Sequence, residues 1–179
     1  MTRNQRLVLI ALLAAQAVII GFLERFIPSP FTFAPGVKLG LANIITCIAL
    51  FTLPLKDTVM IITIRLILAT FLSGTLSVFL YSTSGAILSF TGMFLIKSLG
   101  PKRVSLIGVS TVGGVLHNFG QLIMASIITN EWTVLLLLPY LTIAGILSGI
   151  AIGIAANYLL PHVQNLRFYK TPTKGASRL

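Results

Sequence analysis

An integral membrane fold is already indicated by residues 7–27, LVLIALLAAQAVIIGFLERFI, in which no charged residue precedes Glu24. A helix needs roughly 20 apolar residues to cross the hydrocarbon core of a bilayer, so this run predicts a transmembrane helix. Pro28 and Pro30 stop it. The run is longer than the apolar part of a signal peptide and lacks a clear small-x-small exit, so we expect it to be retained.

Five further apolar runs follow the first. Six spans and the loops between them would use nearly all of the residues. The passage YSTSG, residues 81–85, is expected to precede the fourth span, Pro161 to end the sixth, and Pro139 to kink it. We predict an all-α integral membrane protein with a six-helix transmembrane domain at residues 1–162 and a basic tail at 163–179. The five later spans are predicted at residues 39–53, 57–79, 86–99, 104–129 and 134–160.

Composition supports a membrane protein and excludes several functions. Of 179 residues, 56% are hydrophobic and 9% are charged, whereas a soluble domain carries about a quarter charged residues. Thirteen Lys and Arg stand against three acids, for a net charge of +10. Asp57 is the single Asp, which argues against catalysis by clustered carboxylates. Cys47 is the single Cys, which excludes an internal disulfide and a Cys-only metal cluster.

The basic residues predict the orientation of the chain. If the N-terminus is cytoplasmic, ten of the thirteen lie in inner segments, two (Arg25 and Lys38) in outer segments, and Arg65 lies within a span. This bias follows the positive-inside rule, so both termini are predicted to be cytoplasmic. The positive charge therefore indicates orientation and gives no reason to expect a nucleic-acid partner. The tail is expected to lie along the anionic inner leaflet or to remain disordered, with binding of a partner protein as the less favoured alternative.

Arg65 is predicted to lie about 12 Å into the third span, at 1.5 Å per residue. A cation there costs at least about 2.5 kcal/mol unless it faces protein or water. It is either a structural arginine that bonds carbonyl groups or snorkels inward, or a ligand-binding residue that faces the bundle interior. No acid within the membrane is expected to pair with it, which favours a carbonyl cluster or an anionic ligand as its partner.

The fifth span contains a second polar group, in GGVLHNFGQ at residues 113–121. His117 and Gln121 are four residues apart and Asn118 and Gln121 three, so these side chains can share part of one helix face. Hydrogen bonds between helices would explain a single Asn or Gln, but three strong polar groups within a span favour a binding role. No metal site is expected, because His162 is predicted at the opposite end of the membrane. No catalytic triad is expected either, because no acid is available to orient His117.

Residues 34–43, APGVKLGLAN, form the outer loop and the start of the second span. Lys38 is either an interfacial anchor or a contact for an anionic group, and Asn43 either a capping and packing residue or a ligand contact. In the functional alternative, residues 29–36 (SPFTFAPG) form a lid over a pocket that opens outward.

Small residues recur at four-residue spacing in the first and last spans. Ala11 and Ala15 form one pair, and Gly145, Gly149 and Gly153 form a longer series. Such patterns usually mean close helix packing within the chain; on a lipid-facing surface they would instead be docking sites for another membrane subunit.

The chain lacks the motif GxxxxGK[ST] of a P-loop and the paired acids of a proton relay. If it transports against a gradient, another subunit must supply the energy.

Three segments together resemble a known membrane family: APGVKLGLAN (34–43), IITIRLILATFLSG (61–74) and IGVSTVGGVLHNFGQ (107–121). The chain resembles the family labelled heptaprenyl diphosphate synthase component I, also called the Gx transporter family, from the first span to the end of the sixth. That family is in turn similar to the S-components of energy-coupling-factor transporters.

The resemblance implies a six-helix subunit of a bacterial cell membrane that binds a vitamin or related nutrient near the outer face. S-components depend on a transmembrane scaffold subunit and two ATPases and are thought to topple in the membrane. An AxxxA motif on their first helix contacts the scaffold, and Ala11 and Ala15 match it. No cofactor is implied.

We therefore expect a pocket between the outer halves of the helices that takes an anionic or strongly polar ligand, such as an isoprenoid-, flavin- or quinone-related molecule. The expected ligand residues are Lys38, Asn43, His117, Asn118 and Gln121, with Arg65 deeper.

The family label names an enzyme, but prenyl diphosphate synthases hold Mg²⁺-diphosphate with two aspartate-rich motifs. A chain with one Asp builds neither, so no catalytic activity is expected. Two alternatives to transport remain: an accessory membrane subunit of isoprenoid or quinone biosynthesis, and a passive membrane scaffold.

Overall fold

A computed structural model describes residues 3–26, 40–73 and 75–165, except for the side chains of Arg25 and Ser73. Over these ranges the chain forms six α-helices and no β-strand, which confirms the predicted all-α fold. Short 3₁₀ segments follow the first helix and precede the last. The helices are α1 (Arg3–Leu23), α2 (Asn43–Thr52), α3 (Leu55–Ser73), α4 (Leu76–Ser98), α5 (Leu106–Thr129) and α6 (Leu138–Gln164), and the 3₁₀ segments are Glu24–Phe26 and Trp132–Leu137.

Four helices are long and apolar enough to cross a membrane: α1, α4, α5 and α6, the last with its preceding 3₁₀ segment. The 10 residues of α2 span only about 15 Å, half of the roughly 30 Å hydrocarbon core. Although α3 has 19 residues, it carries Lys56, Asp57 and Arg65. The helices α1, α4, α5 and α6 therefore have the character expected of a membrane protein. Six spans and cytoplasmic termini stay predictions.

Two contacts between helix ends define the orientation of the bundle. Arg6, near the start of α1, bonds Asp57 in the first turn of α3. Lys97, at the end of α4, bonds the carbonyl of Leu50 near the end of α2. These four helix ends therefore meet, and we call this the Asp57 end. The opposite half, in which α1 ends at Glu24 and α2 begins, is the Glu24 half.

Glycines let α6 pack directly against the backbone of α5. A Cβ on Gly149 would lie 2.6 Å from Thr111 Cα, and a Cβ on Gly153 would lie 2.7 Å from Ile107 Cα. At Gly145 the nearest atom would be the Gly114 carbonyl oxygen, at 2.9 Å. Contacts this short leave no room for any side chain, so the predicted packing role of the glycine series in the last span is confirmed.

The predicted boundary between the third and fourth spans is wrong. We expected the third span to reach residue 79 and YSTSG to precede the fourth, but α4 begins at Leu76 and includes residues 81–85. The reason is that this passage contacts a neighbouring helix. The Ser84 hydroxyl donates a hydrogen bond to the Gly120 carbonyl of α5 (2.7 Å), and Gly85 lies against His117.

The two prolines of the last span were also interpreted wrongly. Pro139 lies in the first turn of α6, where its missing N–H needs no partner and produces no kink. Pro161 does not end the helix, which continues to Gln164. The Asn165 amide donates to the Pro161 carbonyl at 3.0 Å and so closes the last turn.

Candidate ligand-binding site

A small polar pocket lies in the Glu24 half of the bundle, between the end of α1, the start of α2, and α3, α4 and α5. Its volume is about 40 Å³, which is enough for a few water molecules. Its polar lining comes from four elements that are distant in sequence. The lining residues are Ala17, Gly21, Glu24, Gly40, Ala42, Arg65, Leu66, Ala69, Ser82 and His117.

Glu24 connects the end of α1 to the start of α2. Its side chain is buried, and its Oε1 accepts a hydrogen bond from the Gly40 amide at 2.6 Å. Gly40 has φ of +83°, a left-handed conformation that an L side chain rarely adopts. The Gly40 carbonyl accepts a hydrogen bond from the backbone N–H of Asn43 at 2.8 Å, so this turn leads directly into α2. Glu24 therefore fixes the backbone at the mouth of the pocket.

Arg65 is buried on α3 and faces the pocket, with 7% of the residue exposed. The Glu24 carboxylate attracts it electrostatically. The sequence-based expectation that no acid is available for Arg65 is therefore wrong. It failed because Glu24 lies at the very end of the first span, and the 3₁₀ turn Glu24–Phe26 directs that end into the bundle.

His117 of α5 is enclosed between two glycines. A Cβ on Gly40 would lie 2.6 Å from its Cδ2 atom, and a Cβ on Gly85 would lie 2.8 Å from its Nδ1 atom. Only 5% of His117 is exposed, and the residue lines the pocket. Any larger residue at either glycine would displace the ring, so the two glycines determine where the imidazole lies.

Asn43 lies directly beside His117. Its Nδ2 atom and the His117 Nε2 atom are each 3.0 Å from the position that a Cβ on Gly40 would take. Asn43 is 1% exposed, and among the described residues its Nδ2 has no hydrogen-bond partner. A buried donor without an acceptor costs about 1–3 kcal/mol, so a polar ligand or water that accepts from it would be stabilised.

The other two polar residues of α5 do not line the pocket. Asn118 donates from Nδ2 to the Leu141 carbonyl of α6 at 2.9 Å, so it connects two helices. Gln121 is buried one turn along from His117. The predicted ligand residue Lys38 and the predicted lid at residues 29–36 lie outside the described residues, as do the last residues of the basic tail, 166–179.

Sequence reasoning missed three residues of the site: Glu24, Gly40 and Ser82. Glu24 offered a signal, because it is one of only three acids in the chain. Gly40 and Ser82 carried no signal of their own, since their places depend on the turn before α2 and on the helical form of the YSTSG passage.

The predicted small-residue pair of α1 lies on the outside of the bundle. Ala11 and Ala15 are exposed next to Leu12 and Ile19, which are also exposed. The prediction that this pair packs against another helix of the same chain is therefore wrong, because the opposite face of α1 makes the internal contacts. That buried face is formed by Leu9, Ile10, Leu13, Ala14 and Ala17.

Comparison with known proteins gives one finding that bears on identity. The family model described as heptaprenyl diphosphate synthase component I matches residues 13–159, well over half of the chain. The match includes every residue of the polar pocket. No curated protein and no solved structure matches the chain.

Proposed function

Because the chain belongs to the heptaprenyl diphosphate synthase component I family, we propose that it is a substrate-binding membrane subunit, similar to an S-component of an energy-coupling-factor-type nutrient importer. The observation that carries this proposal is the buried polar pocket lined by Glu24, Arg65 and His117. Charged groups inside a membrane bundle are costly and are typically retained for binding or transport. The ligand places a small polar group in this pocket and enters from the Glu24 half.

The proposed transport needs partner subunits. The sequence has no P-loop, so ATP hydrolysis must come from another chain, and the description "component I" fits one member of a multi-subunit assembly. We propose a transmembrane scaffold and two ATPases as these members. The exposed face of Ala11 and Ala15 is the proposed contact with the scaffold, because small residues let two helix backbones approach closely.

We also propose that the chain is not the catalyst that the family description mentions. Binding of Mg²⁺-diphosphate requires several carboxylate oxygens. The polar pocket contains a single carboxylate, that of Glu24, and its charge is opposed by Arg65. Asp57 lies at the opposite end of the bundle and bonds Arg6.

The second candidate function is an accessory membrane subunit of isoprenoid or quinone biosynthesis, and the family description favours it. Co-purification separates the two candidates. A tagged full-length chain at native expression level, extracted in mild detergent, is expected to recover an integral membrane subunit and two ATPases. Ala15→Leu is expected to reduce that recovery about tenfold, whereas Ala151→Leu, on the exposed face of α6, leaves it unchanged. Recovery of a soluble prenyl synthase in their place would establish the second candidate.

The pocket itself is tested by mass spectrometry of small molecules extracted from the purified chain. We expect a molecule that is present in the wild type, lost in His117→Ala and retained in His162→Ala. His162 is the matched control because it is exposed at the far end of α6 and, within the part of the chain that the structure describes, its hydrogen bond is to its own helix, at Tyr158. If all three proteins carry the same molecules in the same amounts, the pocket is not the binding site.

A further inference from the structure

A second, apolar cavity lies between α3 and α4. It has a volume of about 390 Å³, within the range of small-molecule sites. It opens sideways, toward the surface that the lipid would contact, since Ile67 and Ile87 on its walls are 47% and 57% exposed. We call it the α3–α4 groove. Its lining residues are Val59, Ile62, Thr63, Leu66, Ile67, Phe79, Thr83, Ala86, Ile87 and Phe90.

The groove adjoins the polar pocket. Leu66 lines both cavities, and on α4 the consecutive residues Ser82 and Thr83 line the pocket and the groove respectively. The Thr83 hydroxyl is buried and has no hydrogen-bond partner among the described residues. A ligand that occupies both cavities would therefore pass from charged and polar groups to an apolar wall at Leu66, with a free hydroxyl at the junction.

The sizes of the two cavities indicate the proportions of such a ligand. The polar pocket holds only a few heavy atoms, at about 40 Å³. The groove follows α3 from Val59 to Ile67, a length of about 12 Å at 1.5 Å per residue. It is a single slot between two helices. These proportions match a compact head and one extended apolar chain.

The charges of the pocket indicate the character of the head. Glu24 and Arg65 carry opposite charges and line the same small cavity, so the described lining has no net formal charge. A head with two or more negative charges would lie against the Glu24 carboxylate. An uncharged head that both donates and accepts hydrogen bonds can use Glu24, Arg65 and His117 together.

From these observations we infer the ligand class, an inference that rests on the proposed binding function. The ligand is a single-chain amphiphile with a compact uncharged polar head, whose head occupies the polar pocket and whose acyl or prenyl chain lies in the α3–α4 groove. Within a membrane the acyl or prenyl chain of the ligand exchanges lipid contacts for protein contacts and gains little hydrophobic free energy. The affinity therefore comes mainly from the head, and the groove determines where the acyl or prenyl chain lies.

Photocrosslinking directly tests where the acyl or prenyl chain of the ligand lies. The full-length protein in phosphatidylcholine nanodiscs is exposed to either a monoacylglycerol or a prenyl alcohol that carries a diazirine in its chain. We expect labelling within residues 59–67 and 79–90 to exceed labelling of the exposed α6 residues Ile143, Leu147, Ile150 and Ile154 about tenfold. The matching unlabelled compound competes, and free glycerol does not. Stronger labelling by the monoacylglycerol identifies the ligand's chain as acyl, and stronger labelling by the prenyl alcohol identifies it as prenyl.

Matched variants separate a ligand site from an ordinary lipid crevice. Ile67→Trp narrows the groove and is expected to reduce labelling about tenfold, whereas Ile143→Trp, at an exposed position of α6, leaves it unchanged. Ser82→Leu fills the polar pocket at a half-buried position and is expected to abolish groove labelling, because the head has lost its site. Labelling spread evenly over the lipid-facing helices, or groove labelling that survives Ser82→Leu, would overturn the inference.

Two further outcomes keep this inference separate from the proposed function. If a prenyl diphosphate displaces the probes better than the uncharged compounds do, the assignment of an uncharged head is wrong. If the purified chain carries a water-soluble molecule that His117→Ala loses, while the groove is not labelled, the binding function stands and the amphiphile does not.

Discussion

The two ends of the bundle use their charged residues in opposite ways. At the Asp57 end, Arg6 donates two hydrogen bonds of 2.5 Å to the Asp57 carboxylate, and Lys97 donates one of 2.5 Å to the Leu50 carbonyl. In the Glu24 half, Glu24 and Arg65 line the same cavity, and the Glu24 carboxylate attracts Arg65 electrostatically.

This difference separates a structural role from a binding role. Charges in direct contact satisfy each other and leave little free energy for a third group. Charges that line a cavity can also contact a ligand there, and a bound ligand then offsets part of the cost of burying them. The same residue types therefore connect helices at one end and form a site in the other half. Three substitutions test this comparison.

Arg65→Met is expected to have the largest effect. Removal of the buried guanidinium takes away a positive charge that the buried Glu24 carboxylate attracts, which we expect to cost about 4 kcal/mol of folding stability. The measurement is the midpoint of thermal unfolding in mild detergent, followed by circular dichroism.

The double variant Arg65→Met/Glu24→Gln is the control for that loss. The Gln oxygen can still accept from the Gly40 amide, so more than half of the stability should return, while the co-purified small molecule should stay absent. A double variant as unstable as Arg65→Met alone would show that the two charges are not coupled.

Gly40→Ala is expected to be intermediate, and Gly100→Ala at the other end is its matched control. Both glycines have a left-handed φ, +83° and +89°, but a Cβ on Gly40 meets His117 whereas a Cβ on Gly100 has no atom within 4 Å. We expect about 1 kcal/mol for Gly100→Ala from backbone strain, and about 3 kcal/mol for Gly40→Ala because crowding adds to it.

Measuring Gly40→Ala with and without His117→Ala, beside Gly100→Ala, isolates the cost of crowding between the new Cβ and the His117 ring. In a His117→Ala background, the cost of Gly40→Ala should fall toward that of Gly100→Ala, measured by the same thermal unfolding. The remaining difference is the contact of the new Cβ with the Asn43 Nδ2 atom, at 3.0 Å. Equal costs of the two alanine substitutions in the wild-type background would mean that His117 moves aside freely and that its position is not fixed.

Asp57→Asn is expected to have the smallest effect. The Arg6 side chain is 46% exposed, and ion pairs that water reaches contribute little to folding stability. The loss should shrink at high ionic strength because salt screens the pair, and the bound small molecule should be retained.

Glu131→Gln is the control for Asp57→Asn. Glu131 is an exposed acid that accepts a long hydrogen bond, 3.4 Å, from Thr133, so its substitution should change the unfolding midpoint very little. Loss of the small molecule in Asp57→Asn would contradict the division of the molecule into a structural end and a binding half.

Much of the fold could be predicted because the length of an apolar run acts locally. The helical class, the membrane character and the positions of α1 and α5 followed from the lengths of the apolar runs. The start of α4 could not be predicted, because Ser84 and Gly85 have the composition of a loop and become helical through contacts with α5.

The candidate site was predictable only in part, for a related reason. Arg65 and His117 were selected because polar groups within apolar runs need a partner, and the structure brings both to one pocket. Asn118 satisfied the same rule but bonds the backbone of α6. Which face of a helix meets a neighbour depends on tertiary packing, and the spacing of polar residues along one helix does not contain that information.

The glycine contacts also govern which parts of the molecule can move. A Cβ on Gly120 would lie 2.7 Å from the Ser84 carbonyl of α4, and a Cβ on Gly149 would lie 2.6 Å from Thr111 Cα. No layer of side chains separates the backbones at these points, so rotamer changes cannot loosen them. We therefore expect α4, α5 and α6 to move as one body, and we expect the pocket to open by movement of α1, α2 and α3. The rate of ligand entry should therefore respond to substitutions in the first three helices.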